Sequence, residues 1–192
     1  MTELVLASGS RYRAELLSRL GLEFEIAPPA VDETAGAGED PEALVLRLAH
    51  SKAAAAAEAR PDALVIGSDQ VAVCDGEILG KPGTRERACR QLAALSGCEV
   101  LFHTGLCVLD TARGKARSAV VSTPVRFRAL EPAEIEHYVD REQPLDCAGA
   151  FKSEGLGIAL FESIGGEDPT ALIGLPLIEL CRMLRESGMK VL

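Results

Sequence analysis

The 192-residue sequence has no C-x-x-C pair among its six cysteines (Cys74, Cys89, Cys98, Cys107, Cys147, Cys181) and no histidine at zinc-finger spacing. Neither a structural zinc nor a disulfide framework is indicated, and buried free thiols are expected. His50, His103 and His137 stand singly and are assigned no chemistry. No apolar run reaches the roughly 20 residues of a membrane span, and Met1-Thr2-Glu3 lacks the basic segment of an export signal. A cytoplasmic protein with no membrane partner is expected. Positive charge is also scarce: the formal net charge of -9 opposes binding to nucleic acid, which depends on cations that release counterions from the polyanion. Small polyphosphates stay open, because a few clustered cations and a bound metal override net charge at one cleft.

What is present is enough for a core: 47% of the residues are hydrophobic. We expect a single domain over residues 1–192, with room for two lobes around a cleft. The apolar run 4–7 ends at Ser8-Gly9-Ser10, after which Tyr12, Leu16, Leu17 and Leu20 recur at helical spacing up to Gly21: strand, tight loop, helix. Residues 22–27 read as a second strand, and Asp40-Pro41 caps a helix to about residue 60. A buried strand at 63–67 runs into Ser68-Asp69-Gln70, continues at 71–74 and turns at Asp75-Gly76, a hairpin signal.

Thr84 caps a helix to about residue 96, and alternating stretches near 101–109 and 117–128, with a turn at Arg113-Gly114, form the middle of a sheet. Pro132 starts a helix to about residue 141. A Gly-rich segment at 147–157, a strand at 158–161 and a helix at 176–187 closed by Gly188 complete the chain. No internal repeat or low-complexity linker interrupts it. Helices mixed with strands and hairpins predict an α/β fold: a mixed sheet flanked by helices, not a purely parallel doubly wound one.

Several residues could carry chemistry. Ser8, Ser10 and Arg13 lie where a strand feeds a helix N-terminus, whose free N–H groups and dipole attract phosphate. The segment is not a Walker A loop, and Ser10 as an ordinary N-cap explains it equally well. Glu33, in the loop after Pro28-Pro29, and Asp69, expected just past a buried strand, offer two carboxylates, a sufficient protein share for Mg²⁺. An acidic loop residue such as Glu33 is more often solvated surface. Asp69 is sharper, because a carboxylate at the end of a buried strand must be paired, metal-bound or catalytic. Lys52 and Lys81 are compact cations suited to polyphosphate. The restricted backbone between Gly80 and Pro82 favours Lys81, since a mid-helix lysine such as Lys52 is usually solvated.

Taken together in order, L-A-S-G-S-x-x-R-x-E-L-L at 6–17, V-D-E at 31–33, I-G-S-D-Q at 66–70, G-K-P at 80–82, C-A-G at 147–149 and G-L-P-L at 174–177 resemble the Maf family of nucleoside triphosphate pyrophosphatases. Arg11 departs from it, since members usually carry proline there. The resemblance implies an inosine triphosphate pyrophosphatase-like fold, usually as a homodimer. It implies a divalent metal, Mg²⁺ or Mn²⁺, with Glu33 and Asp69 as ligands and Asp69 as catalytic base. Arg13, Lys52 and Lys81 become phosphate-binding cations, and Ser8 and Ser10 loop hydroxyls.

Tyr12, Gln70 and Glu154 resemble the branch acting on 7-methyl-GTP rather than the one acting on dTTP and UTP, which usually has arginine, threonine and glutamine at these positions. Chemistry points the same way: N7 methylation makes guanine a delocalised cation, which the Tyr12 face would attract and Glu154 would counter. The rival readings are a core tyrosine and a solvated glutamate. At the level of function the rivals are a dTTP, UTP or modified-nucleotide pyrophosphatase and a non-catalytic nucleotide-binding regulator of cell division. The base, metal and phosphate groups occurring together argue against pure binding.

Overall fold

The computed structural model describes residues 2–192, and the chain divides into two compact units. The first comprises residues up to 70, 104–121 and 168–192; the second comprises 71–103 and 122–167. In chain order the elements are β1 (Glu3–Leu6), α1 (Arg11–Ser18), β2 (Glu25–Ile26), α2 (Pro41–Ala57), β3 (Ala63–Cys74), β4 (Glu77–Leu79) and α3 (Arg85–Leu95). They continue with β5 (Glu99–Asp110), β6 (Lys115–Phe127), α4 (Pro132–Glu142), β7 (Phe161–Ile164) and α5 (Leu177–Glu186). Hydrogen-bonded strands follow the order β2-β1-β3-β5-β6-β7, with β4 paired to β3. The sheet is mixed as expected: β1 runs parallel to β2 and β3, whereas β3–β4 and β6–β7 are antiparallel.

Local chemistry accounts for the boundaries. Ser10, Asp40 and Thr84 each accept a backbone N–H in the first turn of α1, α2 and α3, satisfying donors that the helix leaves free. Asp75 and Gly76 both take positive φ (51° and 83°), the two-residue turn that matches strand twist.

In the first unit, alternation along β3 splits the core in two. Ala63 and Val65 pack with Val5, Ala7 and Cys107 against Ala49, Ala53 and Ala56 of α2. Leu64 and Ile66 face the other way, with Leu4, Leu6, Leu106 and Val108, onto Leu16 and Leu17 of α1 and Leu180, Met183 and Leu184 of α5.

Four expectations need correction. The strand at 22–27 is only Glu25–Ile26, the two residues that pair with Val5 and Leu6 of β1. Asp69 does not lie past the end of a strand: β3 runs unbroken from Ala63 to Cys74, so Asp69 lies inside it. Of the strand expected at 158–161 only Phe161 is extended. Gly157 lies so tightly on the Lys152 carbonyl that a Cβ would come within 2.3 Å of its oxygen, the chain coils as a 3-10 turn over Leu156–Leu160, and extended structure begins at Phe161. All six thiols are free, but only Cys107 is buried and the other five are half-exposed. No helix of the described residues is long and apolar enough to cross a membrane.

Candidate active site

Period-two alternation puts Asp69 on the same face of β3 as Val65 and Gly67, towards α2. Gly67 permits an unusually close approach: a Cβ there would lie 2.0 Å from the Ala49 carbonyl oxygen and 2.8 Å from the Ala53 nitrogen. Gly105 on β5 does the same beneath Val45, 2.3 Å from its carbonyl oxygen. Backbone therefore rests on backbone, and Lys52, in the turn between Ala49 and Ala53, is carried to Asp69. Its ammonium donates to Asp69 Oδ1 at 2.6 Å and lies 2.6 Å from Glu33 Oε1. Lys52 and Asp69 are only 7% and 8% exposed. Removing Lys52 from so buried a pair typically costs about 3–5 kcal/mol, because the Asp69 charge is stranded, whereas without Asp69 the ammonium keeps its contact with Glu33.

The two carboxylate oxygens share one ammonium, so they stand no further apart than twice that contact distance. The described residues gather no group of three or more His, Cys, Asp or Glu side chains that could hold a metal ion. The donor set fits an ion that takes one or two carboxylates and completes its shell from phosphate and water, the habit of Mg²⁺ rather than of zinc.

Beside this cluster, in the same unit, β1 leads through Ser8-Gly9-Ser10 into α1. Ser10 accepts the Arg13 N–H (3.4 Å), and Ser8 Oγ accepts from the Ser10 N–H (3.2 Å) and from Arg13 Nη1 (3.3 Å). Arg13 Nε donates to the Gly174 carbonyl (2.8 Å), which also accepts from Ser68 Oγ (3.0 Å). Gly174 has φ of 120°, and a Cβ there would meet the Arg13 guanidinium at 3.5 Å. Burial lowers the Arg13 pKa, while the charges of Asp69 and Glu33 raise it. The guanidinium stays protonated at any physiological pH. Ser8, Ser10, Arg13, Glu33, Lys52 and Asp69 are thus gathered in one unit.

The remaining candidates are placed otherwise. Gln70 points to the face opposite Asp69, and its side-chain nitrogen lies within donating distance of Thr104 Oγ1 (2.9 Å) and the carbonyls of Ala171 (2.9 Å) and Leu172 (3.1 Å). It anchors the turn Ala171–Ile173 instead of offering that nitrogen to a base. Tyr12 is half-buried, and the Arg11 guanidinium lies 4.7 Å over its ring while donating to its hydroxyl at 2.8 Å. Lys81 and Glu154 are exposed residues of the second unit. The loop bearing Glu154 is firmly tied. Phe151 makes edge contacts with Phe102, Phe127 and Phe161. The Lys152 N–H donates to the Tyr138 hydroxyl (2.9 Å), the Lys152 ammonium to the Glu142 carbonyl (2.7 Å), and the Leu156 N–H to the Glu142 carboxylate (3.1 Å).

Sequence reasoning missed Gly67, Gly105, Thr104 and Gly174. A glycine inside a strand pattern marks a close backbone approach, and that signal was available at 67 and 105. Nothing local marks the Gly174 carbonyl as the partner of Arg13, 161 residues away.

The pattern of the Maf-like protein family matches residues 3–187. The chain belongs to the Maf family. Among its Maf relatives, the 7-methyl-GTP pyrophosphatase of Nitrosococcus oceani is 56% identical over 189 residues, covering 98% of this chain and 95% of that one. The 7-methyl-GTP pyrophosphatase of Pseudomonas aeruginosa is 56% identical over 191 residues, with both chains covered in full (100%). A HAM1 protein from Coxiella burnetii shares the fold with a TM-score of 0.56 at 17% identity, covering 97% of this chain and 100% of that one. The expected inosine triphosphate pyrophosphatase-like fold is therefore the one this Maf chain adopts.

Proposed function

We propose that this Maf-family chain hydrolyses 7-methyl-GTP to 7-methyl-GMP and pyrophosphate. The observation that carries the reading is the buried Lys52–Asp69 pair, joined by the exposed Glu33 carboxylate, next to the Ser8–Arg13 turn. It puts a proton acceptor, two carboxylates and two cations within one compact unit, and near relatives bear the name of this activity.

In this account Asp69 takes a proton from a water molecule as its oxygen bonds to the α-phosphorus, and the α–β anhydride bond breaks with its electron pair leaving on pyrophosphate. Lys52 and Arg13 balance the charge that gathers on the phosphate oxygens, and the Ser8 and Ser10 hydroxyls with the first turn of α1 orient them. Glu33 and Asp69 would hold a divalent cation, Mg²⁺ by the nature of its donors, which neutralises phosphate charge when bound. No Ser, Cys or His nucleophile is needed. Lys81 supplies a further phosphate cation and Glu154 accepts from the guanine edge, as the resemblance implies. Tyr12 offers its face to the methylated base, and the Arg11 contact supports that role because it is already a planar, delocalised cation on that ring. Gln70 shapes the site by holding residues 171 and 172. The same reading includes a cytoplasmic homodimer, which light scattering on the purified chain tests.

The test is a panel of 7-methyl-GTP, GTP, dTTP and UTP with Mg²⁺, scored separately for pyrophosphate and orthophosphate. The expected result is pyrophosphate released fastest from 7-methyl-GTP. Preference for dTTP or UTP would move the chain to the other branch, and binding without turnover would make it a regulator.

A further inference from the structure

Arg11 is exposed at the first position of α1, and its guanidinium does two things to Tyr12: it covers the ring at 4.7 Å and donates to the hydroxyl at 2.8 Å. Helix stability does not explain a cation there, since the N-terminal turn is the positive end of the helix dipole and carries no acidic residue in α1. The contact is with the aromatic face itself. A guanidinium and an N7-methylated guanine are alike in the respect that matters to this ring: both are flat cations with delocalised charge, drawn to the negative face of an aromatic quadrupole.

We infer that Arg11 is a built-in competitor for the Tyr12 ring and sets how strongly the site prefers a cationic base over a neutral one. The inference rests on the proposed function, in which Tyr12 receives the base. Its sign does not depend on which face the base uses. On the face Arg11 covers, the base must first displace the guanidinium and break its bond to the hydroxyl. On the other face, two like charges flank one ring whose electron density is already drawn towards Arg11. Either way the methylated base loses more than the neutral one, because only the methylated base depends on the ring for charge stabilisation. Arg11 therefore lowers discrimination between 7-methyl-GTP and GTP, and residues at this position tune the breadth of substrates accepted.

The experiment compares kcat/KM for 7-methyl-GTP and for GTP in wild type, Arg11→Ala, Arg11→Gln and the ring-removing Tyr12→Leu, with a urea midpoint for each to establish folding. Arg11→Gln keeps a donor for the Tyr12 hydroxyl but removes the charge, so the two Arg11 variants separate contact from charge. A cation–π contact at an exposed site corresponds to roughly a two- to five-fold effect. The 7-methyl-GTP to GTP ratio is expected to rise by about that factor in both Arg11 variants. It should fall in Tyr12→Leu, and in a Tyr12→Leu background Arg11→Ala should change nothing. An unchanged or lowered ratio in folded Arg11 variants overturns the inference, and so does an equal loss on both substrates, which would assign Arg11 to the phosphates. A wild type that shows no preference for 7-methyl-GTP overturns the proposed function, and the inference with it. A wild type that prefers 7-methyl-GTP while the Arg11 variants keep its ratio removes the inference alone.

Discussion

Lys52 stands between two carboxylates, and Asp69 is the one of the pair that lies in a strand. Replacing Asp69 with asparagine keeps the volume and one acceptor for the Lys52 ammonium, but the amide cannot take a proton. Turnover of 7-methyl-GTP is expected to fall by roughly 10²- to 10⁴-fold, with the protein still folded and still binding nucleotide. Steady-state kinetics with calorimetric binding on the same preparation checks this, and near-normal turnover at saturating metal would make Asp69 structural. The candidates themselves were legible in the sequence, but their arrangement was only partly so. The Lys52–Asp69 pair spans 17 residues and is made by tertiary packing, so the sequence alone reads this mid-helix lysine as solvated although it is buried. The facing of Gln70, by contrast, follows from strand alternation once β3 is known to run through residues 68–70.

The elements that place the site depend on a helix lying directly on a strand. Gly67→Ala puts a methyl group 2.0 Å from the Ala49 carbonyl oxygen, and neither partner is the tip of a flexible side chain. α2 must shift to make room, at a cost typical of overpacking, about 1–3 kcal/mol or more. Because Lys52 rides on that helix, the variant should lose activity along with stability. A urea titration should show a lower midpoint with the slope preserved, and a wild-type midpoint would mean that α2 is not seated on Gly67. Most elements were legible from punctuation: Ser10, Asp40 and Thr84 cap the helices expected of them, and Asp75-Gly76 makes its turn. The failures fall where partners decide. β2 keeps only the two residues that pair with Val5 and Leu6 of β1, and residues 158–160 coil because Gly157 is pressed onto Lys152.

For the whole molecule, nothing in composition foretold that each compact unit would be assembled from separated stretches of chain, since β3, β5 and β6 each contribute residues to both without any linker. The acidic charge has a consequence for stability. Hydrogen bonds from the Arg47 side chain and the Gly36 N–H bring Glu39 down to about 2 from an ordinary 4.5. Those from the Arg128 side chain and the Glu131 N–H do the same for Glu134, to about 2. A depressed carboxyl pKa means that the unfolded chain binds these protons first as pH falls. Their stabilising effect is therefore present above about pH 4.5 and is lost as pH drops towards 2. Thermal unfolding should show Tm declining through that window, with a shallower decline in Glu39→Gln and Glu134→Gln; an identical slope in both variants would assign the acid sensitivity elsewhere.

The central claim is that water attacks the α-phosphorus of 7-methyl-GTP. Turnover in ¹⁸O-enriched water followed by mass spectrometry of both products tests it most directly. The account predicts one ¹⁸O in 7-methyl-GMP and none in pyrophosphate. Label in the pyrophosphate, or orthophosphate as the first product, would contradict it.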